Sequence, residues 1–472
     1  MSALPGIIGL LVFIYARPHE LFEELRDKNF LYVFLFLALL GMAHDLSARR
    51  TTPMMTPMVM PVLGLTATCV VSLALRRPDV LMERLVGILV SLVLFLVIGL
   101  GVQRLAGLKK IVSTIFVLGL FVAYVGADQG LSPYECVTYN PAERNGRGWP
   151  DGRPCEMKEP DGSPHDGTTD CIATGRPGVP YQCEHVGLFG TSSVGGGRVR
   201  YLGVLMDPNE LALATAFVVP FAFAFLEMAP SVFRLWLLLM TLVLVAVEIV
   251  FTGSRGGQIT FAAVLGTYFV KKYGVERGAV VGAAMALPLL FLGGRSGDAA
   301  NHSTMERLNC SAEGIKMLIT YPLTGVGYSQ FTEHHFLTAH NAYVLAAGEL
   351  GLPGMFFFGS VLYLAVRIPL AVLRFEMVDS PDARVLEAFA TAVLAIFVGA
   401  AAGIFFLSWT YHYVLWIHFG LSSSLYAVVK RMYPTFEVKL RWKDARNVSL
   451  GYLGLLIVWS GYIRYKGAWD GM

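Results

Sequence analysis

Charge is scarce in this chain. Only 15% of its 472 residues are charged while 55% are hydrophobic, and the mean hydropathy is +0.58. A soluble globular domain carries about 25% charged residues, so a polytopic membrane protein is the default class. The net charge of +3 is spread over loops and offers no basic face to nucleic acid. The six cysteines include no C-x-x-C pair, which argues against a zinc or redox motif. The first apolar run, Leu4 to Ala16, lacks both a basic leader and a small-residue cleavage site, and is read as a retained span. "GGGR" at 195–198 lacks the G-K-[ST] ending of a phosphate loop. Internal repeats or paired broken spans, the marks of a transporter or flippase, are not evident.

What the chain has is apolar runs such as "LVGILVSLVLFLVIGLGV" and "LWLLLMTLVLVAVEIVF", near the ~20 residues that cross a bilayer. They predict an all-α polytopic membrane protein with about twelve spans: 3–16, 30–43, 57–75, 81–102, 110–126, 209–227, 233–251, 257–271, 277–293, 341–366, 387–407 and 411–429. A thirteenth, at 450–463, either spans or lies in the interface. Lysine and arginine bias puts the N-terminus in the cytoplasm, with Arg76-Arg77 as an outward exception. The chain then divides into helices over 1–126, an external cysteine-bearing loop over 127–208, and helices over 209–293. An external helical loop over 294–340, helices over 341–429 and a basic cytoplasmic segment over 430–472 complete it.

Cys136, Cys155, Cys171 and Cys183 fall in the first external segment and read as two disulfides, with three pairings open. Cys69 is read as core and Cys310 is unassigned. In the second segment, Ser303 to Ile319 reads as a helix stopped by Tyr321-Pro322. His334 and His335 lack the helical spacing that would make a metal site with His340. Glu349 reads as structural, and "YARPHE" at 15–20 has no role that its residues reveal.

"IVFTGSRGGQITF", residues 249–261, sets Arg255 between two spans, where an arginine costs roughly 2.5–3.5 kcal/mol on insertion scales. Flanking glycines, a planar guanidinium and a helix N-terminus together make an anion site fit for a lipid diphosphate. The alternative is a snorkelling arginine paired with Glu248.

"GSRGG", "MERLNCSAEGIKMLITYPLTGVGYSQF", "AHNAYVLAAGELGLPGMFFF" and, upstream, "RYLGVLMDPNELA" together resemble the O-antigen ligase and polymerase superfamily over residues 198–365. Val344 stands where the family has leucine, and the cysteine-bearing loop is longer than that family leads one to expect. The resemblance implies an inverting glycosyltransferase that needs neither metal nor cofactor. It would move a glycan from an undecaprenyl (polyprenyl) diphosphate carrier to lipid A-core, to a growing polysaccharide or to a protein. It would sit in the bacterial inner membrane with its active site facing the periplasm. By the same resemblance Arg255 and Arg307 bind the diphosphate, His340 is the base, and Asn341 and Tyr343 touch substrate. Arg200 and Asn209, with Asp207, either line the site or cap the sixth span.

Overall fold

The computed structural model describes residues 2–25, 30–139, 148–158, 165–278, 280, 281, 284 and 298–468. In chain order these form α1 (Ala3–Tyr15), α2 (Phe30–Ser47), α3 (Val59–Arg76), α4 (Leu81–Gly99) and α5 (Leu105–Leu131). A small unit follows: β1 (Tyr134–Tyr139), β2 (Gly148–Pro154), α6 (Gly167–Thr174) and β3 (Tyr181–His185). Then come α7 (Pro208–Ala216), α8 (Val219–Met228), α9 (Val232–Thr252), α10 (Arg255–Tyr273) and α11 (Asp298–Thr320). Last are α12 (Ala342–Arg374), α13 (Pro381–Gly403), α14 (Tyr413–Met432) and α15 (Trp442–Tyr465). Among the described residues, eight stretches are long and apolar enough to cross a membrane: α2, α3, Pro78–Gly99, α5, Pro208–Met228, α9, α12 and Pro381–Phe406. The protein is an all-α polytopic membrane protein.

Those eight fall on eight of the twelve expected spans. α1, α10 and α14 occupy three more, as shorter or less apolar helices. The span expected at 277–293 lies mostly outside the described residues. α14 shows why a helix inside a bundle need not be wholly apolar. Its Ser422 donates to the Ala365 carbonyl at 3.2 Å and Ser424 to the Val102 carbonyl at 2.7 Å, while Ser423 shares a 2.6 Å bond with Thr56. Neighbouring helices supply the partners that lipid cannot.

The segment at 450–463, left open by the sequence, belongs to α15, which runs antiparallel to α12 through the depth of the bundle. Asp444 meets Arg367 at 2.8 Å near one end. Tyr452 donates to the Tyr343 carbonyl at 2.8 Å, and Ile463 packs with Leu308, Ala312 and Ile315 of α11 at the other.

The outward exception, Arg76-Arg77, is also explained. Arg76 donates to the Thr324 hydroxyl at 2.9 and 2.7 Å and lies 3.9 Å over the Tyr321 ring. Arg77 donates to Gln330 at 3.2 Å and pairs with Glu333 at 3.5 Å. Both arginines tie the end of α3 to the chain that follows α11.

The 127–208 segment, expected as a loop, holds an antiparallel sheet of order β2-β1-β3. β1 is rich in the aromatic and β-branched residues that favour a pleated surface. Cys136 bonds Cys171 and Cys155 bonds Cys183, an interleaved pairing. Cys136, Cys171, Tyr181 and Cys183 form a core of their own. We expect peptide mapping under non-reducing conditions to recover these two linkages; four free thiols, or either of the other pairings, would contradict the arrangement.

Candidate active site

The residues singled out in the sequence gather at the face of the bundle that carries the cysteine unit, on three chain segments that a fourth joins. The first is 198–211. Asp207 caps α7 by accepting from the Asn209 backbone at 2.7 Å, and the same oxygen accepts from the Asn209 side chain at 2.7 Å. Asn209 thus belongs to the cap of the sixth span, its Oδ1 lying 3.5 Å from Arg198. Arg198 donates to the Thr252 carbonyl at 2.8 Å and so joins this segment to the Arg255 turn. Arg200 is buried; its backbone donates to Gln129 at 2.9 Å and its Nε to the Ser192 carbonyl at 3.1 Å. Those contacts fasten the cysteine unit to the end of α5.

The second segment is the turn between α9 and α10. Gly253 takes φ 58°, which turns the chain, and buried Ser254 caps α10 by accepting from the Gly257 N–H at 3.0 Å. One of the helix N–H groups expected to face a ligand is therefore taken by its own cap. The glycines serve packing: a Cβ on Gly257 would overlap Ala212 of α7, and one on Gly256 would press on Phe406. Arg255 itself is exposed as the first residue of α10. Glu248 does not share its surroundings. Glu248 is fully buried, and its Oε2 accepts from Thr215 at 2.7 Å. Among the described residues Glu248 makes no ion pair.

The third segment is α11 with the return to α12. Leu308, Ala312 and Ile315 face α15 and anchor the helix that carries half-buried Arg307. After α11 the chain is clamped by Glu349 of α12. That carboxylate accepts from the backbone N–H groups of Ser329 and Phe331, each at 2.9 Å. Cys310 lies 3.7 Å from His335, and burial pushes its thiol up to about 11. Asn341 caps α12, accepting from Tyr343 at 2.9 Å and Val344 at 3.1 Å. The Tyr343 hydroxyl donates to the Ala401 carbonyl at 2.9 Å, so it holds α12 against α13. His334 and His335 join no metal-binding group. Among the described residues, the one such cluster is Cys136, Cys155 and Cys171, whose sulfurs are in disulfides.

His340 stands at the junction. Its φ of 47° is left-handed, a conformation that costs a residue other than glycine about 1–3 kcal/mol and gathers at functional sites. Burial, and next the Arg307 charge, hold its imidazole below the usual histidine value, with Asp207 and Glu306 opposing them. The ring is therefore neutral at neutral pH, with a nitrogen able to take a proton.

The fourth segment, 404–412, was not legible in the sequence. Trp409 stacks on His412 at 4.0 Å, and His412 lies 2.7 Å from the Val204 carbonyl. Thr410 donates to the Ala342 carbonyl at 2.8 Å. None of these residues falls in a motif with a characteristic spacing. We expect isotope-labelled histidine spectra to show His340 titrating below 6.5, and titrating higher in Arg307→Gln, where a positive neighbour is gone. An unmoved titration would mean that the Arg307 charge does not reach the ring.

Residues 213–359 match the family model described as O-antigen ligase, a stretch that holds Arg255, Arg307, His340, Asn341 and Tyr343 and stops short of Arg200 and Asn209. No curated protein matches the chain. Residues 213–359, about a third of the chain, are thus similar to the O-antigen ligase family.

Proposed function

We propose that the protein transfers a glycan from a polyprenyl diphosphate carrier to a hydroxyl acceptor at the outer face of the cytoplasmic membrane, as an O-antigen ligase. The observation that carries this reading is the left-handed backbone of half-buried His340, held at the head of α12 by Ser408, with the Arg307 charge helping to lower the basicity of its imidazole. In the reaction, His340 takes the proton of the acceptor hydroxyl as its oxygen attacks the anomeric carbon. The bond from that carbon to the diphosphate breaks, and the electron pair stays on the leaving phosphate oxygen. Arg255 and Arg307 meet this growing charge. Fixed cations in a site with little water are commonly the largest catalytic contribution. Attack from the side opposite the leaving group inverts the anomeric centre. Disulfides in the 134–185 unit support an oxidising compartment on that side, the periplasm.

Arg255 lies exposed at a helix start, so Arg255→Ala is expected to insert and fold normally while losing donor binding and transfer by ~10²–10³-fold. Arg255→Lys keeps the charge without the planar fork and should also be impaired. Normal donor binding by folded Arg255→Ala would remove it from the diphosphate site. His340→Ala should bind donor and fail to transfer.

Loss of the gene should leave full-length polymer on its carrier. Accumulation of single repeat units would instead mark a polymerase, and unmodified acceptor protein a protein ligase. A reporter fused after Lys272 should read cytoplasmic, and one inserted at Gly178 external; the reverse would move the site to the other side.

A further inference from the structure

The half-buried His340 is held in a backbone conformation that it would not adopt by itself. The left-handed region favours glycine, and asparagine next. Tertiary contacts must therefore keep it there. The His340 N–H donates to the Oγ of Ser408 at 2.9 Å, and the Thr338 hydroxyl donates to the same oxygen at 3.0 Å. Ser408 is far away in the chain and lies outside residues 213–359. Its neighbours in the segment between α13 and α14 are fixed independently: Phe406 against Gly256, Thr410 on the Ala342 carbonyl, and His412 on the Val204 carbonyl. A rigid segment thus presents one hydroxyl oxygen to the two sides of the turn that ends in His340.

We propose that Ser408 is a positioning residue, whose hydroxyl oxygen locks the left-handed backbone of His340 and so decides where the imidazole meets the acceptor hydroxyl. This rests on reading His340 as the base. Without the oxygen, the His340 N–H loses its partner and φ relaxes toward negative values, which swings the ring away. A misplacement of about 1 Å can cost ~10²-fold in rate.

The groups facing His340 are Arg307 and Glu306 from α11, Asp207 from the α7 cap, and His335 from its own segment. Burial and Arg307 lower its basicity. A ring released toward water escapes both, so it titrates nearer the ordinary histidine value. A base must be deprotonated, so activity falls as pH drops through that value. Releasing the ring therefore moves the acid limb of the rate profile upward. A loss of stability alone would reduce the active fraction and leave the limb where it is.

The test uses the purified full chain in nanodiscs with a lipid-linked glycan donor. Ser408→Ala should keep its donor affinity and KM while kcat falls roughly ten- to hundredfold and the acid limb rises. Ser408→Thr, which retains the hydroxyl, should recover most of the lost rate and return the limb. Wild-type kcat and limb in Ser408→Ala would overturn the proposal; if His340→Ala is still inactive, the base assignment stands. Transfer by His340→Ala would instead overturn the base assignment itself. Should Ser408→Ala fail to fold, Thr338→Val removes one of the two contacts and must lower kcat by a smaller factor with the same limb shift. Unchanged values there would overturn the proposal as well.

Discussion

The carboxyl of Glu349 is buried inside a membrane helix and is bound by backbone N–H groups from another part of the chain. That interaction depends on a break in α12. Gly351 leaves the helical conformation at φ 67°, and Pro353 has no N–H to give back to the Glu349 carbonyl. Leu352 donates at 2.7 Å to the Pro322 carbonyl instead of up its own helix. The Gly348 and Glu349 carbonyls are thereby free to accept from Val326 and Gly327, each at 3.0 Å. The "PLTGVGYSQF" turn thus docks on a helix opened to receive it. Gly325 must lack a side chain, because a Cβ there would overlap the Glu349 backbone. Everything from α11 to His340 hangs on this joint.

Around it the molecule divides its labour between apolar helices and a few polar ties. The helices supply depth and rigidity. The ties bring distant segments to one face: Arg76 and Arg77 to the return chain, Arg198 to the α9–α10 turn, and Arg200 to the cysteine unit and α5. Several cations that look like ligands for a diphosphate are thus engaged in holding the scaffold. Arg255 lies exposed on the far side of the same turn, while Glu248 is buried below it with Thr215. A buried carboxyl that bonds a threonine from a neighbouring helix is satisfied on one oxygen without an arginine. The two are separated because the αL turn at Gly253 redirects the chain between them.

Much of this was legible in advance, since it depends on near neighbours in the chain. Apolar runs near the length of a bilayer gave helices at the expected places, because a spanning backbone must satisfy its own hydrogen bonds. α1 and α10 also appeared where their runs lay, and four cysteines in a polar segment became two disulfides. The serine of "GSRGG" and the asparagine of "HNAY" cap helices, a role that residue type and position favour. Motif order alone led to the O-antigen ligase superfamily, which the match over residues 213–359 supports.

Other features depended on partners chosen across the fold. The cysteine pairing followed from how β1, α6 and β3 pack, and composition treats the three pairings alike. The apolar run at 450–463 was too short to decide between a span and an interfacial segment, yet α15 lies along α12 because Arg367 takes Asp444 and α11 receives its far end. The glycines beside Arg255 looked made for a ligand and proved to admit Ala212 and Phe406. Ser408 carries no local mark at all. The sequence by itself determined which stretches are apolar enough to span a membrane and which side chains could bind an anion or take a proton, since hydropathy and residue type are local properties. Only the tertiary structure decided which backbone groups hold those side chains in place, because a hydrogen-bond partner 68 residues away leaves no periodicity to read.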